Sequence, residues 1–484
     1  MNKEIIFDTH YKNEYILLKL LYISSRELSK QEICRELGIT LPTLSKIVSN
    51  IKDDFYNQLQ SSEIKFIVKR NTIKLEYERN ISLDELTTHL LQKSYKYRLL
   101  EIIFLCKNKR YKNLENIFNV SSSTLNRIIN SCNEILSEYD LKIIRGKIVG
   151  SATQYFYFYY MLFLISPRNQ IITNPIIINI IDSIEKLVNL SPSKKKQLSL
   201  WIFLLIKKLN SIDRIRLTEI ERNNLKKYSS TKVFNQIKII FLENNIKKNE
   251  YNAEVFTYFT YIFLISFGML SYSEINLNQN KAFEITDKIM LSLNEIFINE
   301  NNSFEIIKNN IFSLISQAIH FKGGNFSIDT ITSDHYKNIF NNSIRRIVAE
   351  KIVDSIIKST DIFNSEKENF IKENLSLLLY VLTPKNFFKV RIGVFTVSLN
   401  WMIPSLFILL EKRLNIYQDV IISEYKSTED YDLILTDIEL EGYKKKLSKY
   451  YKVTSLGIDF DYDKLRDVIN EITSKKYLNI NEYI

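Results

Sequence analysis

A helix-turn-helix pattern occurs twice in the first third of this 484-residue chain, and the repetition limits how the N-terminal part can fold. In residues 29–55, the helical stretch SKQEICREL precedes a turn at residues 38–40 and a second helix, LPTLSKIVSNIKDDF. In residues 111–137, YKNLENIF precedes a turn at residues 119–121 and the helix SSTLNRIINSCNEIL. One such match is common in all-α proteins. Two matches of the same polarity, each followed by a predicted β-hairpin, favour two winged helix-turn-helix units.

The second helix of the first unit has two distinct faces. Ser29 and Glu32 have the spacing of a capping box, which begins the preceding helix. The buried stripe at i, i+3, i+4 spacing is predicted to contain Leu44, Ile47, Val48, Ile51 and Phe55. The opposite face carries short hydrogen-bonding groups and a cation, namely Thr43, Ser45, Lys46, Ser49 and Asn50. This mixture is typical of contacts with base edges and phosphates, although a solvated polar face has the same composition.

The corresponding helix of the second unit repeats this separation of faces. Its predicted buried stripe consists of Leu125, Ile128, Ile129 and Cys132. The predicted DNA-facing side consists of Ser123, Asn126, Arg127 and Asn130. Arg127 is suited either to a guanine edge or to a phosphate, and the sequence leaves both open.

Each unit is followed by a predicted wing. Residues 63–69 and 72–77 form a hairpin pattern whose tip is basic, so Lys69 and Arg70, with Lys65 and Lys74 nearby, are predicted to contact phosphates. Residues 141–150 predict a shorter wing, in which Arg145 and Lys147 lie beside Lys142. Both wings therefore extend the predicted DNA-binding surface beyond the helices.

The charge distribution supports a polyanionic partner. The net charge is +11; residues 1–150 hold 24 Lys and Arg against 18 Asp and Glu, which leaves +6 there and +5 for the other 334 residues. Positive charge is therefore denser where the helix-turn-helix units lie, as phosphate binding requires.

The remaining two-thirds of the chain divides into helical and α/β parts. Residues 152 to about 385 have helical patterns throughout, and after Thr383-Pro384 short apolar strands alternate with helices, which predicts a small parallel sheet. The predicted fold is multidomain and mainly α. Its domains are two winged helix-turn-helix units (1–80 and 81–150), two helical domains (151–278 and 279–385) and a small α/β domain (386–484).

Several functional classes are disfavoured by the sequence. The odd number of cysteines, without CxxC spacing, argues against a disulfide framework or a zinc site. Three charge-free runs, at residues 151–167, 255–272 and 392–410, contain enough polar residues or Pro to favour buried elements over membrane spans. The chain has no Gly-rich phosphate loop, HExxH or GxSxG, and few histidines, so we expect no enzyme activity and no cofactor.

The order of domains resembles the Mga/AtxA class of transcription regulators of Gram-positive bacteria. The local resemblance is best around STLNRIINSCNEILSEYDLKI, through Gly150 into QYFYFYYMLF, and around KVRIGVFTVSLNWMIPSLFILLEKRLN. It implies that the helical domains are regulation domains of the sugar phosphotransferase system (PRD-like) and that the last domain is enzyme IIB-like. It also implies activation of virulence or adaptation genes and self-association.

Two departures from the family pattern concern phosphorylation. The family's phosphorylatable histidine positions correspond here to Lys196 or Gln197 and to Val381, none of which is a histidine. The loop that carries the phosphocysteine of true IIB domains corresponds to residues 395–400, FTVSLN, without a cysteine. Whether His320 or His335 is modified stays open at this stage.

The sequence thus predicts a cytoplasmic DNA-binding transcription regulator that acts as a dimer or oligomer on promoter DNA, with RNA polymerase as a further partner. A plasmid replication initiator with tandem winged helices is the alternative. Initiators of that kind would not need some 330 further residues of helical and α/β structure.

Overall fold

The structure is a computed structural model, mainly helical, and its elements follow the sequence pattern closely. It describes residues 3–24, 26–58, 64–78, 82–105, 111–165, 174–209, 217–244, 250–275, 280–299, 303–323, 344–396, 403–415, 419–437, 450–452, 462–478, 482 and 484. The chain forms two compact units: Met1–Thr260 with Phe321–Gly324, and Tyr261–His320 with Asn325–Ile484. The division into five finer domains, with its four boundaries, stays a prediction.

The first winged unit combines three helices with a three-stranded antiparallel sheet. Its helices are α1 (Thr9–Ser24), α2 (Lys30–Leu37) and α3 (Leu41–Gln58). Its strands are β1 (Leu28–Ser29), β2 (Ile64–Val68) and β3 (Thr72–Tyr77), in the order β1-β3-β2. The hairpin was predicted, but the two-residue β1 was not, because its Ser29 was interpreted only as a helix cap. That cap is present, since the Ser29 hydroxyl accepts a hydrogen bond from the Glu32 N–H at 3.1 Å.

The second winged unit contains four helices and a two-stranded wing. Its elements are α4 (Leu83–Lys93), α5 (Tyr95–Leu105), α6 (Tyr111–Phe118), α7 (Ser122–Ser137), β4 (Lys142–Ile144) and β5 (Lys147–Val149). The basic loop at residues 107–110 lies outside the described residues. The antiparallel strands pair Lys142 with Val149 and Ile144 with Lys147.

Among the described residues, six helices follow the second wing, and the last of them begins in the first compact unit and ends in the second. They are α8 (Ala152–Leu164), α9 (Pro175–Glu185), α10 (Pro192–Leu209), α11 (Glu219–Tyr228), α12 (Lys232–Glu243) and α13 (Glu250–Ser266). Their core is rich in aromatic side chains: the rings of Phe156 and Phe259 lie 5.2 Å apart, and Trp201 is fully buried. This burial explains the first two charge-free runs of the sequence, which lie largely in α8 and α13. No helix among the described residues is long and apolar enough to cross a membrane.

After α13, the second of the two compact units continues with helices and short connecting strands. These are α14 (Tyr272–Ile275), α15 (Lys281–Ile296), α16 (Ser303–His320), α17 (Ile344–Ile352) and α18 (Ser365–Leu378), with the antiparallel pair β6 (Phe297–Ile298) and β7 (Thr383–Pro384). A π-helical turn, Val353–Ile357, continues α17.

The C-terminal part is the predicted small parallel sheet flanked by helices. Its elements are β8 (Val390–Phe395), α19 (Ile403–Asn415), β9 (Val420–Glu424), β10 (Leu433–Thr436), β11 (Tyr450–Lys452) and α20 (Tyr462–Tyr477). The strand order is β11-β10-β8-β9 and all three pairs are parallel. The core beneath it includes Val390, Ile392, Leu435 and Leu465, each fully buried.

A partly buried ion pair fixes this sheet to the helices of the same unit. The Arg345 guanidinium of α17 lies 2.7 Å from Asp419 Oδ2, next to β9, and also donates to the carbonyl oxygens of Leu379 and Leu382. Removing one partner of such a pair would leave a charge poorly solvated, so the helices and the sheet are expected to unfold together.

Candidate DNA-binding surface

The two helix-turn-helix units have the same backbone geometry at their turns. Gly38 (φ 61°) and Asn119 (φ 51°) both adopt the left-handed conformation that ends a helix. The next residue in each turn donates a backbone hydrogen bond back into the preceding helix, from Ile39 to Cys34 at 3.0 Å and from Val120 to Glu115 at 3.2 Å. Asparagine tolerates the left-handed region better than most residues, so both turns use a residue suited to it.

The second helix of each unit then begins in the same way. The N–H of Leu44 donates to the Thr40 carbonyl, and the N–H of Leu125 donates to the Ser121 carbonyl, both at 2.9 Å. Ser121 also caps α7, because its hydroxyl accepts from the N–H of Thr124 at 3.3 Å. A capped, tightly held start keeps the first turns of each helix in a fixed orientation.

Helix α3 buries the predicted stripe and exposes most of the predicted polar face. Leu44, Ile47, Val48 and Ile51 are all buried, whereas the side chain of Phe55 lies outside the described residues. Thr43, Ser45, Lys46 and Ser49 are exposed. Asn50 differs, since it is half-buried and its Nδ2 lies 3.3 Å from His10 Nε2 in α1.

That contact with His10 joins α3 to α1 within the first winged unit. His10 Nε2 also lies 3.0 Å from Glu14, a carboxylate that is only 1% exposed. The sequence did not single out His10 or Glu14, because their link to Asn50 is a long-range contact with no local pattern. Asn50 is therefore less available for an external partner than its position on the helix suggests.

Helix α7 separates its two faces as predicted. Leu125, Ile128, Ile129 and Cys132 are buried, and burial raises the pKa of the Cys132 thiol far above its usual value. Ser123, Asn126, Arg127 and Asn130 are exposed. Arg127 makes no ion pair with another residue in the described part of the chain. The exposed acid on this helix, Glu134, lies one turn further on, so the N-terminal half carries the cation.

Two cations of the first wing, Lys69 and Lys74, are held by carboxylates. Lys69 Nζ lies 3.0 Å from Glu27 Oε2, and the hydroxyl of Thr72 donates to the other oxygen of Glu27. Hydrogen bonds from Thr72 and then Lys69 lower the pKa of Glu27, so it stays ionised. Lys74 pairs with Glu76 at 2.7 Å in the same way. Arg70 remains exposed at the tip, and its carbonyl accepts from Lys30 Nζ at 2.9 Å.

The second wing presents its cations without such partners. Arg145 (φ 51°) and Gly146 (φ 76°) form a two-residue turn with two left-handed positions, the geometry that matches the twist of a tight hairpin. Lys142, Arg145 and Lys147 are exposed, and none forms an ion pair with any residue for which the structure gives a position.

The wing is fixed to the end of α7 by two local contacts. Asn133 Oδ1 of α7 accepts from the N–H of Ile143 at 2.7 Å. Gly150 closes the wing with φ +151°, and a Cβ there would lie 2.4 Å from a methyl carbon of Leu141. Helix α7 and its wing are therefore held in a fixed relative position.

The family's phosphorylation positions lie on described elements. Lys196 is exposed and Gln197 half-buried in α10, and Val381 is 55% exposed in the 3-10 turn after α18. His320, the last residue of α16, is buried, and burial lowers its pKa to about 4, so it is neutral near pH 7. His335 and most of the loop after β8 lie outside the described residues. No cluster of three or more metal-ligating side chains occurs in the described part of the chain.

The second winged unit, with the helix that follows it, matches a known domain family. Residues 79–163 match the Mga helix-turn-helix domain, which spans α4 to α8 and includes the second wing. No curated protein was found to match the chain. The chain thus carries a DNA-binding helix-turn-helix domain of the Mga type, consistent with a Mga-like transcription regulator.

Proposed function

We propose that the protein regulates transcription by binding promoter DNA with both winged units, the second acting as the main reader of sequence. The observation that carries this proposal is the exposed face of α7, with Arg127 and Asn130 opposite a buried stripe, inside the residues that match the Mga domain. Arginine and asparagine side chains can make paired hydrogen bonds with guanine and adenine edges in the major groove. The cations of the second wing, which form no ion pair among the described residues, are suited to the flanking phosphates.

The test of this proposal begins with the genome. Sites bound by the protein should be mapped in cells, and transcript levels compared between the parent strain and a deletion strain. We expect bound sites in promoter regions next to genes whose transcripts change. Binding confined to a plasmid origin would support the alternative, a replication initiator, and would overturn the proposal.

The direction of regulation and the partners are further parts of the proposal. By its family resemblance, the protein would activate virulence or adaptation genes in the cytoplasm, with RNA polymerase as a partner. We propose no enzyme activity and no cofactor. Because the family's histidine positions hold Lys196, Gln197 and Val381, phosphotransferase proteins should not phosphorylate them. A phosphotransfer assay with the purified general phosphocarrier tests this, and labelled His320 or His335 would contradict it.

Self-association is proposed through the helical and C-terminal domains. It rests on the family resemblance and on two apolar side chains of α19, Ile408 and Leu409, which are 53% and 62% exposed. Replacing both by Asp should lower the sedimentation coefficient of the purified protein at micromolar concentration. An unchanged assembly state would exclude this helix from the contact.

A further inference from the structure

The order of the described strands in the C-terminal sheet reverses between β8 and β10. From β8 the chain runs through α19 to β9 on one side, whereas β10 and β11 lie on the other side of β8. In open parallel sheets, the loops that follow two such strands leave in opposite directions, and ligands bind in the crevice between them. The carboxyl ends of β8 and β10 are therefore the place where this fold favours a ligand.

Two polar side chains meet at this place. Thr396 directly follows β8 and Asp437 directly follows β10. The parallel register sets Phe395 beside Thr436, so the two residues that come next are neighbours. The Thr396 hydroxyl donates to Asp437 Oδ2 at 2.7 Å.

The second carboxylate oxygen of Asp437 is left without a partner. Asp437 Oδ1 is buried and accepts no hydrogen bond from the part of the chain that the structure describes. Buried carboxylates are normally paired or hydrogen-bonded, because the loss of hydration is costly. Asp432, at the opposite end of β10, follows this rule, since its Oδ2 accepts from the Arg391 N–H and from Lys476 Nζ, both at 2.8 Å. The unsatisfied acceptor thus lies at the end of the strand where a ligand is expected.

The missing partner has a defined chemistry. It must donate a hydrogen bond to Asp437 Oδ1, and a positive charge on the donor would offset the charge of the carboxylate. The Thr396 hydroxyl spends its proton on Asp437, so its oxygen can accept a second hydrogen bond. A primary ammonium carries three N–H donors on one atom and can therefore serve both oxygens.

We propose that the carboxyl ends of β8 and β10 form a binding site for a small primary amine, whose ammonium group donates to Asp437 Oδ1 and Thr396 Oγ1. The site belongs to the second compact unit and does not depend on the proposed DNA binding. It gives the α/β part of the chain a small-molecule ligand in addition to any contact between proteins.

A titration of the full-length protein, followed by ligand-observed NMR, tests the site with butylamine as the probe. Tetramethylammonium, which has the same charge but no N–H donor, should bind at least about tenfold more weakly. Asp437→Asn keeps an acceptor for Thr396 but removes the charge, and it should weaken butylamine binding at least about tenfold. Glu424→Gln removes an exposed acid from the same edge of the sheet, at the end of β9, and should bind within about twofold of the parent.

The outcomes of this titration decide the proposal. Equal binding of the two cations by the parent protein would overturn it without any variant, because only charge would then be recognised. Equal butylamine binding by the parent and Asp437→Asn would overturn it as well. Binding of Mg²⁺ without binding of butylamine would show that the ligand is a metal ion and contradict the proposed class.

Thermal unfolding without ligand gives a second readout, which a purely structural carboxylate would move in the opposite direction. Asp437→Asn removes a charge that is buried without a partner, so its unfolding midpoint should rise by roughly 2 °C or more. Glu424→Gln should unfold at the parental temperature. A lower midpoint for Asp437→Asn, or failure of that variant to fold, would show that the fold itself needs the carboxylate and would overturn the proposal.

Discussion

The two helix-turn-helix units have the same backbone conformation at their turns but differ in the chemistry of their surfaces. Equivalent residues are spaced equally along the chain, so Gly38 corresponds to Asn119, and the buried Leu44 and Ile51 correspond to Leu125 and Cys132. The positions that face outward are not equivalent in chemistry. The first unit has Lys46 and Ser49 where the second has Arg127 and Asn130.

This difference bears on what each unit can recognise. The planar groups of arginine and asparagine can each make two hydrogen bonds to one base, whereas lysine is a point charge and serine a single hydroxyl. The wings differ in the same sense, since Lys69 is paired with Glu27 whereas Arg145 and Lys147 have no carboxylate partner among the described residues. If both units bind DNA as proposed, the second is better suited to read sequence and the first to hold the phosphate backbone.

The largest expected effect comes from the second recognition helix. Replacing Arg127 and Asn130 by Ala should weaken promoter binding by roughly tenfold or more per residue, because a good base contact contributes about 1–3 kcal/mol. The equivalent pair in the first unit, Lys46→Ala with Ser49→Ala, should lose less. Fluorescence anisotropy with specific and scrambled DNA measures both, and Glu134→Ala on the same helix is the control. Equal losses from the two pairs would contradict the proposed difference between the units.

The second-largest expected effect comes from the wings, which should differ from each other. Arg145→Ala with Lys147→Ala should flatten the dependence of log affinity on log salt by roughly one unit of slope per phosphate contact. Lys69→Ala should change the slope less, because that ammonium already has a carboxylate partner 3.0 Å away. The exposed pair Lys226 and Lys227, changed to Ala, gives the background. A larger slope change for Lys69→Ala than for the second-wing variant would contradict this difference between the wings.

The sequence predicted the local parts of this arrangement well. The capping pattern at Ser29 and the apolar spacing of α3 and α7 depend on neighbours a few residues apart. The strands of the small parallel sheet are marked in the sequence by runs of apolar residues. These features are visible in sequence because helix and strand periods determine which side chains share a face.

The sequence could not predict features that depend on distant partners. Glu27 neutralises Lys69 across the first sheet, and Asn50 is bonded to His10, but neither contact leaves a local pattern. The strands β1 and β11 have two and three residues, too few for alternation to be recognised. The stacking of Phe321 on Tyr157 was missed for the same reason, since these residues lie far apart in the chain.

Freeing Lys69 from Glu27 should make DNA binding by the first wing more like that proposed for the second. In Glu27→Gln, the amide oxygen can still accept from Thr72 but no longer holds Lys69 by charge. We expect DNA affinity to rise about threefold and the salt slope to steepen by up to roughly one unit, as one more phosphate contact forms. Glu78→Gln, at an exposed acid after β3, removes the same charge without freeing Lys69. The proposed role of Glu27 fails if both variants bind DNA equally.

A smaller effect is expected at Asn50. Because its amide is bonded to His10, Asn50→Ala should change promoter affinity less than about twofold, whereas Asn130→Ala should lose tenfold or more through a base contact. Thermal unfolding of both variants, followed by circular dichroism, separates loss of contact from loss of fold. A strong binding defect in a fully folded Asn50→Ala protein would show that the His10 contact opens on DNA.

The smallest effect on DNA binding is expected from modifying two of the chain's three thiols, Cys34 and Cys132, and their reactivity also reports on folding. Cys132 lies in the buried stripe of α7 and burial raises its pKa, whereas Cys34 in α2 is only partly buried. Because the thiolate is the reactive form, iodoacetamide at pH 8 should alkylate Cys34 well before Cys132, with little change in DNA affinity. Peptide mass spectrometry over time measures both. The same protection of Cys132 in the Arg127 and Asn130 variants would show that their binding defect arises at the surface of α7; rapid labelling there would mean that the helix had lost its packing.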